Sequence, residues 1–476
     1  MLADNNHPFD RMFHPSSIAV IGASSSVSEG SWVKRLLDFG FKGEIYPINP
    51  KAIEIQGLKA YPTVHDVPGP IEYAILNIPA YLTPQTMRDC VAKGIKFVHC
   101  FAAGFSETST EEGRRLEAEI RKIATDGGVR LIGPNCMGVY CPASGMTFSE
   151  NFPKETGHIA LISQSGTEAS RLVFLCQDVN LYFNKVINYG NAADLDAPEL
   201  LEYLATDEET DIIALYIEGI KDNHRFMSAV KQCVKKKPII ILKAGLTENG
   251  AEVAAFHTAA IAGSKAIWNA FFKQSGVIPA QTIDEVADIL QGLSRIKKLN
   301  GRRVAIIGRG GGIGVVATDI CESAGLIVPP FSRETHEKLL QIRSDPGAML
   351  RNPVEPKLGL EDAADFYLQG LPIIDQDTET DIILIQIAVD IYGGHTPDLL
   401  QNVSAAAYAL SAAAESIKKP IAVVFFAGGH TDTVMAVAAA MDILTKAGIP
   451  VFSGVEAAAR SLNKIYNYYR SIENIK

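Results

Sequence analysis

His257 stands in Ala255-Phe256-His257-Thr258-Ala259, a run of mostly small residues that continues to Gly263 and Ser264, with no second metal ligand at helical spacing. Little bulk surrounds the imidazole, so such a loop can present it to more than one partner. That placement suits a nucleophile that carries a group between sites; a half-buried loop histidine is the plainer reading. Two other groups fit a carrier. Ser163-Gln164-Ser165-Gly166-Thr167 closes an apolar run and opens a helical pattern. Two hydroxyls and the free N–H groups of a helix start make an anion site, or simply an N-cap serine. Glu218 ends a second apolar run and precedes Gly219. A carboxylate there orients an imidazole and stabilises its charged form, or stands exposed at a strand end.

The elements that must hold these residues follow from a repeated phrase. Ser17-Ile-Ala-Val-Ile-Gly22, His158-Ile-Ala-Leu-Ile-Ser163 and Arg303-Val-Ala-Ile-Ile-Gly308 are each a short apolar run ending in small residues before a helical pattern. Such runs suit parallel strands buried on both faces. Three strand–turn–helix openings predict an α/β protein of three Rossmann- or flavodoxin-like doubly wound parallel-sheet domains. Further strands are expected over 43–50, 72–79, 97–104, 129–135, 211–219, 237–243, 381–387 and 420–429, and a terminal helix over 460–476. Boundaries near 143–156 and 296–302 give domains over 1–145, 150–297 and 300–476.

Composition narrows the class. A chain of 476 residues is too long for one ordinary domain. The 47% hydrophobic content is globular, and a net charge of -10 argues against a nucleic-acid surface. The N-terminus has the pattern of neither a signal nor a transit peptide, and no apolar run is long enough to cross a bilayer. Seven scattered cysteines without a Cys-x-x-Cys pair point to a reducing, cytoplasmic setting, with no disulfide framework and no metal site.

In open parallel sheets, ligands bind beyond the carboxyl ends of the strands. The first domain has small or polar groups at each such end: Gly22-Ala23-Ser24, Asn49-Pro50-Lys51, Ile78-Pro79, Ala103-Gly104 and Gly133-Pro134-Asn135. They suit a nucleotide-like ligand with phosphates on backbone N–H groups. The second and third glycines of the dinucleotide fingerprint are missing, and no acid ends the second strand to hold a ribose. An NAD-dependent dehydrogenase is therefore disfavoured. Lys51 favours a phosphate-bearing group.

Together these pieces resemble the α part of the ADP-forming acyl-CoA synthetases, relatives of succinyl-CoA synthetase. The resemblance spans about residues 10–465. It rests on the ordered set Ser17-Ile-Ala-Val-Ile-Gly-Ala-Ser, Gly43-Glu-Ile-Tyr-Pro-Ile-Asn-Pro-Lys, Gly133-Pro-Asn-Cys-Met-Gly, Ile162-Ser-Gln-Ser-Gly, Tyr189-Gly-Asn-Ala-Ala-Asp, Tyr216-Ile-Glu-Gly and the His257 loop. It implies a CoA-binding first domain that uses Gly22, Ala23, Ser24, Lys51, Ile78, Pro79, Ala103, Gly104 and Asn135. It further implies that Ser163, Ser165 and Gly166 cradle phosphate. Acyl-CoA and phosphate would give acyl phosphate and CoA; His257, held by Glu218, would carry the phosphoryl group to ADP. Asn135 and the 189–191 segment are expected on the acyl side.

No segment of about 200 residues is left over for an ATP-grasp domain. ATP, ADP and Mg²⁺ are therefore expected on a separate ATP-grasp β subunit in an α2β2 assembly. Two departures stand out. Phe256 and Ala259 replace the Ser and Gly that usually flank the family's histidine motif, so the loop swings less or the acyl pocket is reshaped. They motivate an alternative, a CoA-binding regulatory or scaffold protein with reduced or no ligase turnover. Arg309 also replaces part of the family's usual Asn-Ala-Gly-Gly-Pro-Gly, with no evident role. The acid remains open among acetate, branched or aromatic acids and dicarboxylic acids.

Overall fold

The computed structural model describes residues 7–24, 31–250, 252, 264–308, 310–342, 349–355, 360–389 and 398–475. His257, Phe256, Ala259 and Arg309 lie outside the described residues. The chain forms two compact units, Met1–Gln177 with Tyr182–Val286, and Asp178–Leu181 with Ala287–Lys476. Among the described residues, no helix is long and apolar enough to cross a membrane.

The first unit holds two sheets. The first is built from β1 (Ser17–Ile21) and β2 (Glu44–Ile48), then, beyond a small antiparallel hairpin β3 (Glu54–Ile55) and β4 (Leu58–Lys59), from β5 (Tyr73–Leu76), β6 (Phe97–Cys100) and β7 (Arg130–Ile132). The order β2-β1-β5-β6-β7 is wholly parallel. β1, β5 and β6 are buried at every residue, which is why they read as mostly apolar runs, with Ser17 and His99 the polar exceptions. Helix Glu111–Gly127 shows how a face is covered. Thr110 caps it by accepting from the Gly113 N–H at 3.0 Å, and Leu116, Ile120 and Ala124 recur at helical spacing to pack with Val98 and Leu131. Leu116 and Ile120 each stabilise the fold by about 1.5–3 kcal/mol on leaving water, and the Ala124 methyl by less.

The chain moves from β1 to β2 on one side and returns to β5 on the other, so the sheet's switch point lies beyond β1 and β5. Gly22 sits there with φ +82°, and a Cβ on it would fall 2.2 Å from the Asn77 carbonyl oxygen. Only glycine lets the two strand ends approach so closely.

The second sheet orders β13-β12-β11-β9-β10-β8. Its strands are β8 (Gly138–Tyr140), β9 (Ile159–Ser163), β10 (Phe183–Asn188), β11 (Ile212–Ile217), β12 (Ile239–Lys243) and β13 (Ile278–Ala280). All pairings are parallel except β8 with β10. A domain boundary near 145 assigns Gly138–Tyr140 to the first domain; its hydrogen bonds instead join it to the second sheet. The switch point here lies between β9 and β11, where Ser163 and Glu218 stand.

The second unit carries one sheet, β15-β16-β14-β17-β18-β19, antiparallel only at β15 with β16. Its strands are β14 (Val304–Ile307), β15 (Met349–Leu350), β16 (Val354–Glu355), β17 (Ile382–Ala388), β18 (Ile421–Phe426) and β19 (Val451–Phe452). The Gly310 N–H at the start of helix Gly311–Ser323 donates to the Glu355 carboxylate at 2.8 Å. The terminal helix spans Val455–Ile475, starting five residues before the expected 460. The units divide within helix Ile283–Arg295, ahead of the linker expected near 296–302. All seven cysteines are free and buried.

Candidate functional site

The second sheet's switch point is tied together by side chains. Ser163 Oγ donates to the Ser165 carbonyl at 2.7 Å and accepts the Ser165 N–H at 3.2 Å, closing a tight turn. Ser165 Oγ then caps helix Gly166–Gln177 by accepting the Glu168 N–H at 3.3 Å. The first-turn N–H groups at Gly166 and Thr167 have no acceptor within the helix, the kind of donor that can take an anion. Gln164 Oε1 accepts the N–H groups of Glu218 and Gly219 at 2.5 and 2.9 Å. This links the end of β9 to the end of β11.

Glu218 is 4% exposed. Tyr216 bonds to it through its hydroxyl, and burial, with the Glu218 and Glu168 charges, pushes the Tyr216 phenol up. Lys243, at the end of β12, donates from Nζ to the Glu218 main-chain carbonyl at 2.8 Å and lies over the Trp268 ring. Burial lowers the Lys243 ammonium to about 8 despite the Glu218 charge nearby. The carboxylate is thus set into a packed, partly ionic strand end.

At the first sheet, several backbone donors expected to hold phosphate are already engaged. The Gly22 and Ala23 N–H groups donate to the Ile48 carbonyl at 3.1 and 3.2 Å. The Gly104 N–H donates to Glu107 Oε1 at 2.6 Å. These residues stand at the strand ends, and their N–H groups extend the sheet or close a turn within the chain. The Lys51 main chain is anchored on Asn49 Oδ1 at 2.8 Å, and its residue is exposed.

Both sets of strand ends open into one cavity of about 630 Å³. Ile78, Pro79, Ala103 and Asn135 line it from the first sheet, Ser165 and Gly166 from the second. Gly22, Ala23, Ser24, Lys51, Gly104, Ser163 and Glu218 are not in its wall. Neither are Tyr189 and Asn191, expected on the acyl side. Asn191 lies behind Asn135, accepting from Asn135 Nδ2 at 3.3 Å and donating to Glu107 and Glu117 carboxylates at 2.6 and 2.9 Å.

The wall also includes residues the sequence did not single out, among them Asn77, Phe101, Met137, Gln164, Thr167 and Asn188. Asn188 Oδ1 accepts the Met137 N–H at 2.6 Å while its Nδ2 donates to the Ser163 carbonyl at 2.9 Å. It closes a strand that is buried throughout, which the fold reveals and the local sequence does not. Among the described residues, no charged side chain lines the cavity, and no group of three or more His, Cys, Asp or Glu is placed to hold a metal ion. Neutral polar groups and helix N–H donors fit a phosphate and a thioester carbonyl.

Comparison with known proteins agrees with this anatomy. Residues 16–142 match a CoA binding domain and residues 156–293 a succinyl-CoA ligase like flavodoxin domain. The ADP-forming acetate–CoA ligase II subunit alpha of Pyrococcus furiosus is 37% identical over 453 residues, 94% of this chain and 95% of that protein. The ADP-forming acetate–CoA ligase I of Archaeoglobus fulgidus is 35% identical over 462 residues, 96% of this chain but 63% of that protein. Among solved structures, a dinucleotide-forming acetyl-coenzyme A synthetase of Candidatus Korarchaeum cryptofilum, in complex with phosphate and ADP, superposes with a TM-score of 0.84 at 31% identity, covering 98% of both chains. None of these relatives supports a scaffold without ligase chemistry. The two sheets meeting over one cavity lined by polar and apolar groups, and a likeness that spans nearly all of both chains, lead to one conclusion: the chain belongs to the family of ADP-forming acetate–CoA ligase alpha subunits, within the succinyl-CoA synthetase-like ligases.

Proposed function

We propose that this chain interconverts acyl-CoA and phosphate with acyl phosphate and CoA, and that His257 carries the phosphoryl group onward to ADP. A phosphate oxygen attacks the thioester carbonyl; the C–O bond forms, the C–S bond breaks, and CoA leaves as thiolate and takes up a proton. The imidazole of His257 then attacks phosphorus, forming a P–N bond and releasing the carboxylate. ADP finally takes the phosphoryl group from the histidine. A covalent carrier keeps the reactive group from water between the two steps.

The observation that carries this reading is the cavity itself, whose wall joins the strand ends of the first sheet to the first turn of helix Gly166–Gln177. Ser163 and Ser165 shape that turn, Gly166 and Thr167 offer donors to phosphate, and Glu218 orients the imidazole. CoA enters over Ile78, Pro79, Ala103 and Asn135, with Gly22, Ala23, Ser24, Lys51 and Gly104 forming the outer strand ends. The naming of relatives as alpha subunits supports a partner. We assign it an ATP-grasp fold holding ATP, ADP and Mg²⁺, in an α2β2 assembly in the cytoplasm.

The test is a phosphohistidine assay. The chain and its partner are incubated with labelled phosphate and acetyl-CoA. An acid-labile, base-stable label on this chain is expected, absent in His257→Ala. Undiminished labelling or turnover in His257→Ala overturns the carrier role.

A further inference from the structure

The thioester carbonyl must lie between a sulfur arriving from the first sheet and a phosphate held at the first turn of helix Gly166–Gln177. Met137 occupies that interval. It belongs to the segment that links the two sheets, between Asn135 and β8. Its side chain rests on the helix start: a Cβ on Gly166 would fall 2.5 Å from Met137 Cγ, so only the glycine leaves room for it. Its main chain is pinned through Asn188, which accepts its N–H at 2.6 Å and donates to the Ser163 carbonyl at 2.9 Å. A flexible, polarizable side chain thus projects from a fixed backbone, half-exposed in the cavity wall.

We propose that Met137 sets the size of the acyl group this enzyme accepts, restricting it to short, unbranched chains. The inference rests on the reading of the cavity as the acyl-transfer site. A longer or branched acyl chain on a carbonyl aimed at the helix start meets the thioether, and the pinned backbone cannot withdraw. One methylene more or less in an apolar pocket changes discrimination by about 10–200-fold.

The test compares phosphate-dependent kcat/KM for acetyl-CoA and isobutyryl-CoA, using this chain with its partner. Met137→Ala is expected to raise the isobutyryl-to-acetyl ratio at least about tenfold, and Met137→Phe to lower it. Met137→Leu, close in volume, keeps the wild-type ratio. Met137→Val joins the series so that size is bracketed from both sides even when one variant does not fold. Ratios unchanged within about twofold across folded variants overturn the role of Met137. A wild-type enzyme that turns over neither thioester with phosphate sinks the reading of the site, and the proposal with it.

Discussion

At the scale of single residues, Glu218 shows how a carboxylate is made useful by what surrounds it. Its N–H is held by Gln164, its carbonyl by Lys243, and its carboxylate by the Tyr216 hydroxyl. Little freedom is left for it to follow any partner but the one it was set to meet. Glu218→Gln keeps the shape and removes the charge that would stabilise an imidazolium. We expect kcat to fall about a hundredfold or more with KM for acetyl-CoA little changed, read by steady-state kinetics. The place of this residue at a strand end was legible because a lone acid ended an apolar run. Met137 and Asn188 were not. Their importance comes from one hydrogen bond between residues 51 positions apart, and nothing in either local sequence announces it.

At the scale of elements, mostly hydrophobic strands were readable and a strand with several polar members was not. β5 is hydrophobic throughout, β1 and β9 carry one serine at an end and β17 a single glutamine, Gln386; all four are buried from end to end, and each lies where a mostly hydrophobic run predicts a parallel strand. β10 is buried just as fully but contains Asn184, Lys185 and Asn188. Lys185 survives there because Asp207 and Glu209 meet its ammonium at 2.9 and 2.6 Å, and Asn184 donates to Thr210 at 2.8 Å. Those partners lie more than twenty residues away, so periodicity alone hides the strand. β6 carries a further test. His99 is 1% exposed and donates from Nε2 to the Cys136 carbonyl at 3.0 Å, supporting the segment that bears Met137. Burial holds its imidazole down at about 4, against the opposing pull of that hydrogen bond. The unfolded chain protonates this histidine near pH 6.5 and the folded chain near 4, so stability is lost as pH falls through that window. The wild type is expected to lose roughly 2 kcal/mol more than His99→Gln between pH 7 and pH 5, measured by denaturant unfolding at both pH values.

At the scale of the whole molecule, the first unit contains the described walls of the cavity on both sides, so the proposed acyl step is expected to ask for nothing from outside it. Arsenate can replace phosphate in that step, and acyl arsenates hydrolyse at once. The full chain alone is therefore expected to release CoA continuously from acetyl-CoA in arsenate without nucleotide; no release under those conditions would move part of the acyl site onto the partner. The cysteines bear on the same chemistry from another side. An enzyme whose product is a free thiol lives beside that thiol's oxidised forms, and a reachable thiolate would be capped by its own product as a mixed disulfide. Here all seven thiols are buried; burial pushes Cys90, Cys100 and Cys321 up to about 12 and raises Cys136, in the cavity wall, well above the ordinary thiol range. The native chain offers disulfides no ready nucleophile, so oxidative stress leaves it uncapped while the pool of its substrate shifts. For the experimenter, a thiol-reactive dye added to the folded protein counts liberated CoA and little else.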